Sequence, residues 1–262
     1  MSKCIAIFSL SLLLTLQMFA QESYYNWDWE KEKYILGGSA LFWSGSQFLK
    51  FNTDEVNTDD LLTLNPNDVW SFDRGALDNI NANSAVLSDY LLFGTAALPF
   101  VHYLGTKGQG ENWKIAGMAI ETFLIAEGFV NVLKRTTTRF RPFTYNPAVP
   151  QEEKLTRGAR FSFPSGHTAA VASLSFFSAK VFSDLYPESK WKPLVWSGAI
   201  TLPALTAYFR FDAGRHFPTD VISGFAIGAA VGYLIPHVHR KNNNKNLSVL
   251  PSGNSLYLSY SF

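Results

Sequence analysis

The sequence predicts an all-α protein: a six-helix bundle of the membrane type, followed by a small C-terminal β-hairpin. Six mostly apolar stretches alternate with polar connectors, and several approach the ~20 residues that cross a bilayer. Charged residues make up only 16% of the chain and aromatic residues 15%, a composition that suits a bilayer boundary. The six predicted helices cover residues 34–51, 84–104, 113–134, 167–186, 193–209 and 219–238.

The first twenty residues are predicted to form a signal peptide or an N-terminal anchor. Lys3 supplies a positive charge before an apolar run that ends near Ala20, ahead of polar residues. Met18 is larger than the residue favoured before a cleavage site, so an uncleaved anchor stays open. Both alternatives predict a protein of the cell envelope. Cys4, the single cysteine, lies in this segment, so a mature chain would have no disulfide and no thiol chemistry.

The rest of the chain divides into three predicted parts. Residues 21–84 hold the first helix and a polar connector rich in Asn and Asp, which we expect to be a solvated cap. Residues 85–240 form the main helical bundle, which contains the three polar clusters described below. Residues 241–262 form a polar linker and a hairpin, because the final run alternates apolar and polar residues. We expect this hairpin to pack against the bundle.

Charge is scarce and local. The net charge of +1 argues against a nucleic-acid partner. His237 and His239 end the last predicted helix, where cations suit the helix dipole, and we assign them no catalytic role. Charges inside the predicted helices must face the bundle interior or an interface, since exposure to lipid is costly. These charges are Glu121, Glu127, Lys180 and Asp184.

Three polar clusters lie at predicted helix ends: "KRTTTRFRPF", "FSFPSGHTAA" and "FRFDAGRHFPTD". Taken singly, they also fit a basic helix C-terminus, a helix cap and a loop. If successive helices run antiparallel, however, all three reach the same end of the bundle. The groups brought together are Lys134, Arg141, Ser165, Gly166, His167, Arg210, His216 and Asp220.

Such a set suits a phosphoryl group. Three cations and the free N–H groups of a helix N-terminus bind several negative oxygens, while two imidazoles and a carboxylate serve catalysis. No cluster of His, Cys or carboxylate residues has the spacing of metal ligands in the sequence. We therefore predict neither a metal nor a cofactor.

The three clusters resemble the motifs of the type 2 phosphatidic acid phosphatase superfamily, which also includes the vanadium-dependent haloperoxidases. The matching patterns are K-x6-RP at Lys134–Pro142, PSGH at Pro164–His167 and R-x5-H-x3-D at Arg210–Asp220. The resemblance covers roughly residues 85–235 and implies the helical bundle of that superfamily. One departure is Phe209, which stands where the family usually has a serine and removes one hydroxyl hydrogen bond.

The resemblance also implies a role for each residue. His216 would attack phosphorus and form a phosphohistidine, and Asp220 would hold its imidazole in the productive tautomer. His167 would protonate the leaving oxygen and later activate water. The groups that would bind the phosphoryl oxygens are Lys134, Arg141, Arg210, the Ser165 hydroxyl and the Gly166 N–H.

The function implied is a metal-independent phosphatase of the cell envelope that acts on a lipid or isoprenoid phosphate or diphosphate. The alternatives are a vanadium-dependent haloperoxidase, a periplasmic non-specific acid phosphatase and a non-enzymatic scaffold. The expected partners are the substrate and the membrane, and no protein partner is inferred. We expect the site to face the periplasm, either from the membrane or in a periplasmic, membrane-associated protein. In the membrane this orientation requires that one early segment, with residues 34–51 the best candidate, does not span.

Overall fold

A computed structural model of the chain describes residues 24–51, 54–105, 112–241, 247–252 and 255–260. The predicted signal peptide or anchor lies outside these residues. The described part of the chain is mostly helical. Its longer helices are α1 (Trp29–Phe51), α3 (Ala82–Ala96), α4 (Leu98–Gly105), α5 (Asn112–Thr137), α7 (Gly166–Leu185), α8 (Lys192–Asp212) and α9 (Pro218–His239). Short helices α2 (Thr58–Leu62) and α6 (Gln151–Lys154) and 3-10 turns lie in the connectors.

Each predicted helical stretch is helical in the structure, but the second is divided into α3 and α4. The two helices meet at Ala97. Pro99 follows immediately, and a proline has no N–H to donate to the carbonyl four residues earlier, that of Thr95. The continuous helix predicted over residues 84–104 is therefore wrong at this point.

Helix α7 is the centre of the bundle and packs against α9, α8, α5 and α3. Its contact with α9 is backbone to backbone. Gly224, Gly228 and Gly232 repeat every four residues on α9, and a Cβ at these positions would lie 2.4, 2.2 and 2.2 Å from carbonyl oxygens of α7. Small residues at such spacing allow two helices to approach closely. This packing fixes the start of α9 against the start of α7.

The N-terminal residues share the core of the bundle. Helix α1 packs along α5, and Tyr25, just before it, is only 1% exposed. Tyr25 packs in one apolar cluster with Ile115 and Met118 of α5 and with Phe177 and Val181 of α7. A boundary near residue 84 stays a prediction, but the segment before it is packed into the bundle.

The connector between α1 and α3 is less solvated than predicted. Many of its residues are exposed, but Val69 and Ala76 are buried against Phe217, which precedes α9. Asp73 is only 1% exposed. Most of the connector is exposed, as expected of a solvated cap, but its buried part covers the chain beside the site.

Among the residues that the structure describes, three segments are long and apolar enough to cross a membrane: Ala82–His102, Asn112–Tyr145 and Pro218–His239. Their outer faces carry large apolar side chains, among them Phe93 and Phe100, which are 73% and 68% exposed. Exposed apolar surface of this extent is typical of a bundle that lies in lipid. The surface supports a membrane location.

The C-terminal segment contains two paired strands. Strands β1 (Leu247–Ser252) and β2 (Ser255–Tyr260) are antiparallel, with Leu247 opposite Tyr260 and Ser252 opposite Ser255. Residues 242–246 and 253–254 lie outside the described chain. The hairpin packed against the bundle therefore stays a prediction.

Candidate active site

The second predicted cluster forms the start of α7. Ser165 is the N-cap, and its Oγ accepts a hydrogen bond from the Thr168 N–H at 3.4 Å. The Ser165 N–H donates to the Asp220 carbonyl at 2.9 Å, which ties this turn to α9. Ser165 is fully buried, so its hydroxyl serves the cap and does not line the cavity described below. The cap orients the first turn, where Gly166 and His167 do line that cavity.

His167 contacts a carboxylate that sequence reasoning missed. Its Nε2 lies 2.8 Å from Oδ1 of Asp89 on α3. A carboxylate oxygen accepts, so Nε2 carries the proton and Nδ1 is the nitrogen left for proton transfer. Asp89 also lies 3.8 Å from Nη1 of Arg210, which donates to the Ser88 hydroxyl at 3.3 Å. The one available signal for Asp89 was an acidic residue inside an apolar predicted helix.

His216 lies in the tight loop between α8 and α9. Gly214 makes this loop possible, because its φ of +64° is strained for other residues and a Cβ there would meet the Asn79 carbonyl at 1.9 Å. Nδ1 of His216 lies 2.7 Å from the Ser162 carbonyl oxygen. A carbonyl oxygen only accepts, so Nδ1 bears the proton and Nε2 keeps its lone pair.

The protonation state of His216 favours a nucleophile. Burial, followed by the positive charges of Arg141, Lys134 and Arg210, holds the pKa of the imidazole well below its usual 6.5. The ring is therefore neutral at neutral pH. A neutral imidazole with Nε2 unprotonated has the lone pair that an attack on phosphorus requires.

Asp220 orients His216 indirectly. Its Oδ2 lies 3.6 Å from Nδ1 of His216, too far for a hydrogen bond. The same oxygen accepts from the Ser162 hydroxyl and, at 2.8 Å, from the Phe217 N–H. The carboxylate thus positions Ser162, whose carbonyl holds the imidazole. The resemblance implies that Asp220 contacts the imidazole directly. In the structure the connection runs through Ser162 instead.

Arg139 links Asp220 to a second carboxylate, that of Asp73. Arg139 donates from Nη1 to Oδ1 of Asp220 at 2.7 Å and from Nη2 to Oδ2 of Asp73 at 2.7 Å. Asp73 also accepts from the hydroxyl of Thr219 at 2.7 Å. Sequence reasoning missed Asp73, Arg139 and Ser162. Arg139 stands inside the first motif but at a position that the motif leaves open, and the other two carried no signal.

The cations surround one cavity of about 360 Å³. Lys134 Nζ donates to the Phe161 carbonyl at 3.3 Å, and Arg141 Nε donates to the Gly158 carbonyl at 2.9 Å. Three further polar residues also line the cavity: Glu127, Asn131 and Arg135. The predicted site residues on its wall are Lys134, Arg141, Gly166, His167, Arg210 and His216. Asp220 and Ser165 lie behind the wall, both fully buried.

A second cavity adjoins the first. It measures about 650 Å³ and is almost wholly apolar, with walls from α3, α4, α5 and α7. Leu92 and Phe123 line both cavities. This groove therefore leads from the cationic cavity towards the exposed apolar face near Phe93 and Phe100.

The fold and the site define a membrane-type helical bundle with a cationic cavity suited to a phosphate group. Residues 115–244 match the profile of the PAP2 superfamily, and this part of the chain belongs to that superfamily. The region contains the three motifs and both histidines, but it begins after Asp89.

Three characterised relatives are lipid phosphatases by name. The chain is 30% identical to the lipid A 4′-phosphatase of Porphyromonas gingivalis over 154 residues. This alignment covers 57% of this chain and 61% of that protein. It is 32% identical to the undecaprenyl-diphosphatase of Sulfolobus acidocaldarius, over 46% of this chain and 53% of that one. It is 33% identical to phosphatidylglycerophosphatase B of Bacillus subtilis, over 40% of this chain and 48% of that one. The chain thus spans about half to three-fifths of the length of these relatives.

One solved structure is also similar. It is the crystal structure of a transmembrane PAP2-type phosphatidylglycerolphosphate phosphatase from Bacillus subtilis, which is 21% identical to this chain. The alignment covers 87% of this chain and 94% of that one, with a TM-score of 0.42.

Proposed function

We propose that this protein is a metal-independent phosphatase that hydrolyses a lipid or isoprenoid phosphate or diphosphate. The observation that carries the proposal is the state of His216. Its Nδ1 is held by the Ser162 carbonyl, so the unprotonated Nε2 is available at a cavity whose lining includes Lys134, Arg141 and Arg210. A haloperoxidase and a scaffold do not require an imidazole nucleophile, whereas a non-specific acid phosphatase would share it and is distinguished by its substrate.

In the first step, Nε2 of His216 attacks phosphorus. A P–N bond forms and the P–O bond to the lipid breaks, which gives a phosphohistidine. Lys134, Arg141 and Arg210 and the Gly166 N–H bind the phosphoryl oxygens, and this charge takes the place of the metal ion used in other phosphoryl transfers. His167 enters this step protonated on both ring nitrogens, a form that Asp89 and the negative charge of the bound phosphate favour. Its Nδ1 proton passes to the leaving oxygen, while Nε2 keeps its hydrogen bond to Asp89, which holds the ring in position.

In the second step, His167 takes a proton from water, and the resulting oxygen attacks the phosphohistidine. The P–N bond breaks, inorganic phosphate leaves, and His216 regains its neutral form. Ser162 and Asp220 keep Nδ1 of His216 protonated throughout, so the attacking nitrogen does not change. In this scheme Ser165 acts through the cap that presents Gly166 and His167.

The apolar groove supports a substrate with a hydrocarbon tail. Since the groove shares Leu92 and Phe123 with the cationic cavity, a phosphate in one places an attached tail in the other. The three relatives named above support the same substrate class. We further propose a six-helix membrane bundle, a signal peptide or anchor at residues 1–20, and a site that faces the periplasm.

Phosphate release from purified protein tests the proposal. The substrates are phosphatidate, phosphatidylglycerophosphate, undecaprenyl diphosphate, lipid A and a water-soluble phosphate ester. Wild type is expected to release phosphate from at least one lipid, and His216→Ala from none. Vanadate is expected to inhibit, because it occupies the phosphoryl site as a transition-state-like oxyanion.

Chelation distinguishes metal-independent from metal-dependent catalysis. Brief EDTA treatment at a temperature at which the protein stays folded is expected to leave turnover unchanged. Activity lost to EDTA and restored by a divalent ion would refute metal-independent catalysis. Halide oxidation on addition of vanadate and peroxide, without phosphate release, would favour a haloperoxidase instead.

A further inference from the structure

Three buried polar side chains meet at the end of the bundle remote from the phosphate cavity. They are Glu32 in the first turn of α1, Glu121 within α5 and His239 at the end of α9. Nε2 of His239 lies 3.2 Å from Oε2 of Glu32 and 3.4 Å from Oε2 of Glu121. Along α9, His239 is about 28 Å from Asp220 at 1.5 Å per residue. The cluster is therefore separate from the catalytic site.

The tautomer of His239 makes it an acceptor. Its Nδ1 lies 2.9 Å from the Ile235 carbonyl oxygen, which only accepts, so Nδ1 carries the proton. Nε2 lies 3.2 Å from a carboxylate oxygen of Glu32 and can hydrogen-bond it only as the donor of a protonated ring. In the neutral ring, Nε2 instead directs a lone pair at two carboxylates, an arrangement that a cation between them would satisfy. A histidine whose other nitrogen donates to a backbone carbonyl is the usual form of a metal ligand.

Glu121 lacks the partners that a buried carboxylate needs. It is 0% exposed, and neither of its oxygens meets a hydrogen-bond donor among the described residues. Within that part of the chain, no lysine or arginine pairs with Glu32 or Glu121, and His239 is the one basic group beside them. A buried carboxylate without a donor is strongly unfavourable, and here a second carboxylate, Glu32, lies beside it with His239 as the one basic partner for both among the described residues. A divalent cation would balance both charges while His239 stays neutral.

The distances fit such an ion. Ligand atoms around a tetrahedral ion with bonds of about 2.0–2.1 Å lie about 3.3 Å apart. The two distances from Nε2 bracket this value. We propose that Glu32, Glu121 and His239 bind a divalent transition metal such as Zn²⁺, with a fourth position open to water. Two carboxylates and an imidazole are a donor set that this class of ion accepts.

The proposed ion has a structural role. It joins the start of α1, the middle of α5 and the end of α9, where the Asn26 N–H already donates to the His239 carbonyl at 2.7 Å. A bound ion stabilises the folded state because the unfolded chain does not hold the three ligands together. The proposal is independent of the proposed enzymatic function.

Metal content and thermal unfolding of the full-length protein test the site. Protein purified in detergent is stripped with a chelator and then titrated with Zn²⁺. Wild type is expected to bind one zinc ion per chain and to unfold at a higher temperature when loaded. Glu121→Gln and His239→Ala are expected to weaken binding by more than about 100-fold, since even the loss of a residue that only hydrogen-bonds a metal ligand costs about 10–100-fold.

Three further measurements distinguish a bound metal ion from a merely structural role of these residues. Without metal, Glu121→Gln is expected to unfold at a higher temperature than wild type, because it removes an unpaired buried charge, and added Zn²⁺ is expected to reverse that order. His237→Ala is the matched control, since His237 is exposed in the same last turn and is expected to bind zinc as wild type does. Co²⁺ is expected to give wild type the visible absorption of a four- or five-coordinate ion. Failure of wild type to bind Zn²⁺, or equal binding by Glu121→Gln, would overturn the proposal in favour of a proton shared within the cluster.

Discussion

The Ser162 carbonyl accepts a hydrogen bond from Nδ1 of His216 at 2.7 Å, and on the proposed function this contact selects the nitrogen that attacks phosphorus. Asp220 reinforces the contact through the Ser162 hydroxyl, while Arg139 and Asp73 fix Asp220. The imidazole is thus held by a chain of contacts, each made by a different segment. Chemistry at this residue depends on side chains that never touch the substrate.

The two histidines are expected to differ in their dependence on the leaving group. His216→Ala removes the nucleophile and is expected to abolish turnover of every substrate. His167→Ala removes a general acid, which is typically worth about 10²–10⁴ in rate. That loss is expected in full for a lipid alkyl phosphate, whose leaving oxygen is basic. It is expected to be much smaller in the first step for nitrophenyl phosphate, whose leaving group needs little protonation.

Stopped-flow release of nitrophenolate, beside phosphate release from an alkyl phosphate, measures this difference. His167→Ala is expected to show a burst followed by a slow steady state, because the same residue later activates water. An equal loss of the first step on both substrates would rule out a general acid at His167.

The low pKa of His216 predicts the acid side of the pH profile. Because the folded pKa lies well below 6.5, the neutral nucleophile persists as the pH falls through 6.5. The burst rate with nitrophenyl phosphate, corrected for ionisation of the substrate, is expected to stay constant there and to fall only at lower pH. Arg141→Gln removes one of the charges that lower this pKa, so its acid limb is expected at higher pH. Identical acid limbs in wild type and Arg141→Gln would contradict this assignment.

At the scale of the elements, the glycine row of α9 determines how closely the two motif-bearing helices pack. A Cβ at Gly228 would lie 2.2 Å from the Ala169 carbonyl oxygen, which no side-chain rotation relieves. Gly228→Ala is expected to destabilise the protein by about 1–3 kcal/mol, the usual effect of overpacking. Thermal unfolding in detergent measures the change as a lower midpoint.

Gly198→Ala is the matched control for this prediction. Gly198 lies within α8, and nothing stands within 4 Å of a Cβ there. The substitution is expected to stabilise the helix slightly, by roughly 0.5–1 kcal/mol, because alanine loses less backbone entropy. A Gly228→Ala protein as stable as Gly198→Ala would show that α7 and α9 do not pack as described.

Helix positions were predictable from sequence because apolar length is a local property. The errors arose where a distant contact or a single residue decided the outcome. Pro99 divided the second helix, a local signal that the apolar run obscured. The connector was expected to be solvated because its composition is polar, yet Asp73 is buried by an ion pair with Arg139.

At the scale of the whole molecule, the orientation of the site in the membrane is open to a direct test. Ala148 is exposed in the loop after α5, on the side of the cavity, and Glu188 is exposed between α7 and α8 at the other end. After Cys4→Ser removes the native thiol, Ala148→Cys is expected to react with an impermeant maleimide in intact cells. Glu188→Cys is expected to react only after lysis. The reverse pattern would place the site in the cytoplasm.

The candidate site was predictable in part for a reason that lies in the chain's topology. Lys134, Arg141, His167, Arg210 and His216 stand at helix ends, and antiparallel packing brings those ends together without further information. Asp89, Ser162 and Asp73 reach the site through long-range contacts. A single sequence contains no distances between such segments, so their roles appeared only in three dimensions.

If the proposed function holds, the apolar groove beside the cationic cavity also determines whether the reaction rate depends on the substrate concentration in the membrane or in water. A tail that enters from the side of the bundle never crosses water, so the transfer cost of about 0.8 kcal/mol per methylene does not arise. Substrate then arrives by diffusion within the lipid plane. On the proposed function, the rate follows the mole fraction of substrate in the membrane or micelle. Adding inert lipid while the bulk substrate concentration is held constant would lower this mole fraction and slow catalysis. Diluting the whole suspension with buffer would leave the mole fraction, and the turnover per protein molecule, unchanged.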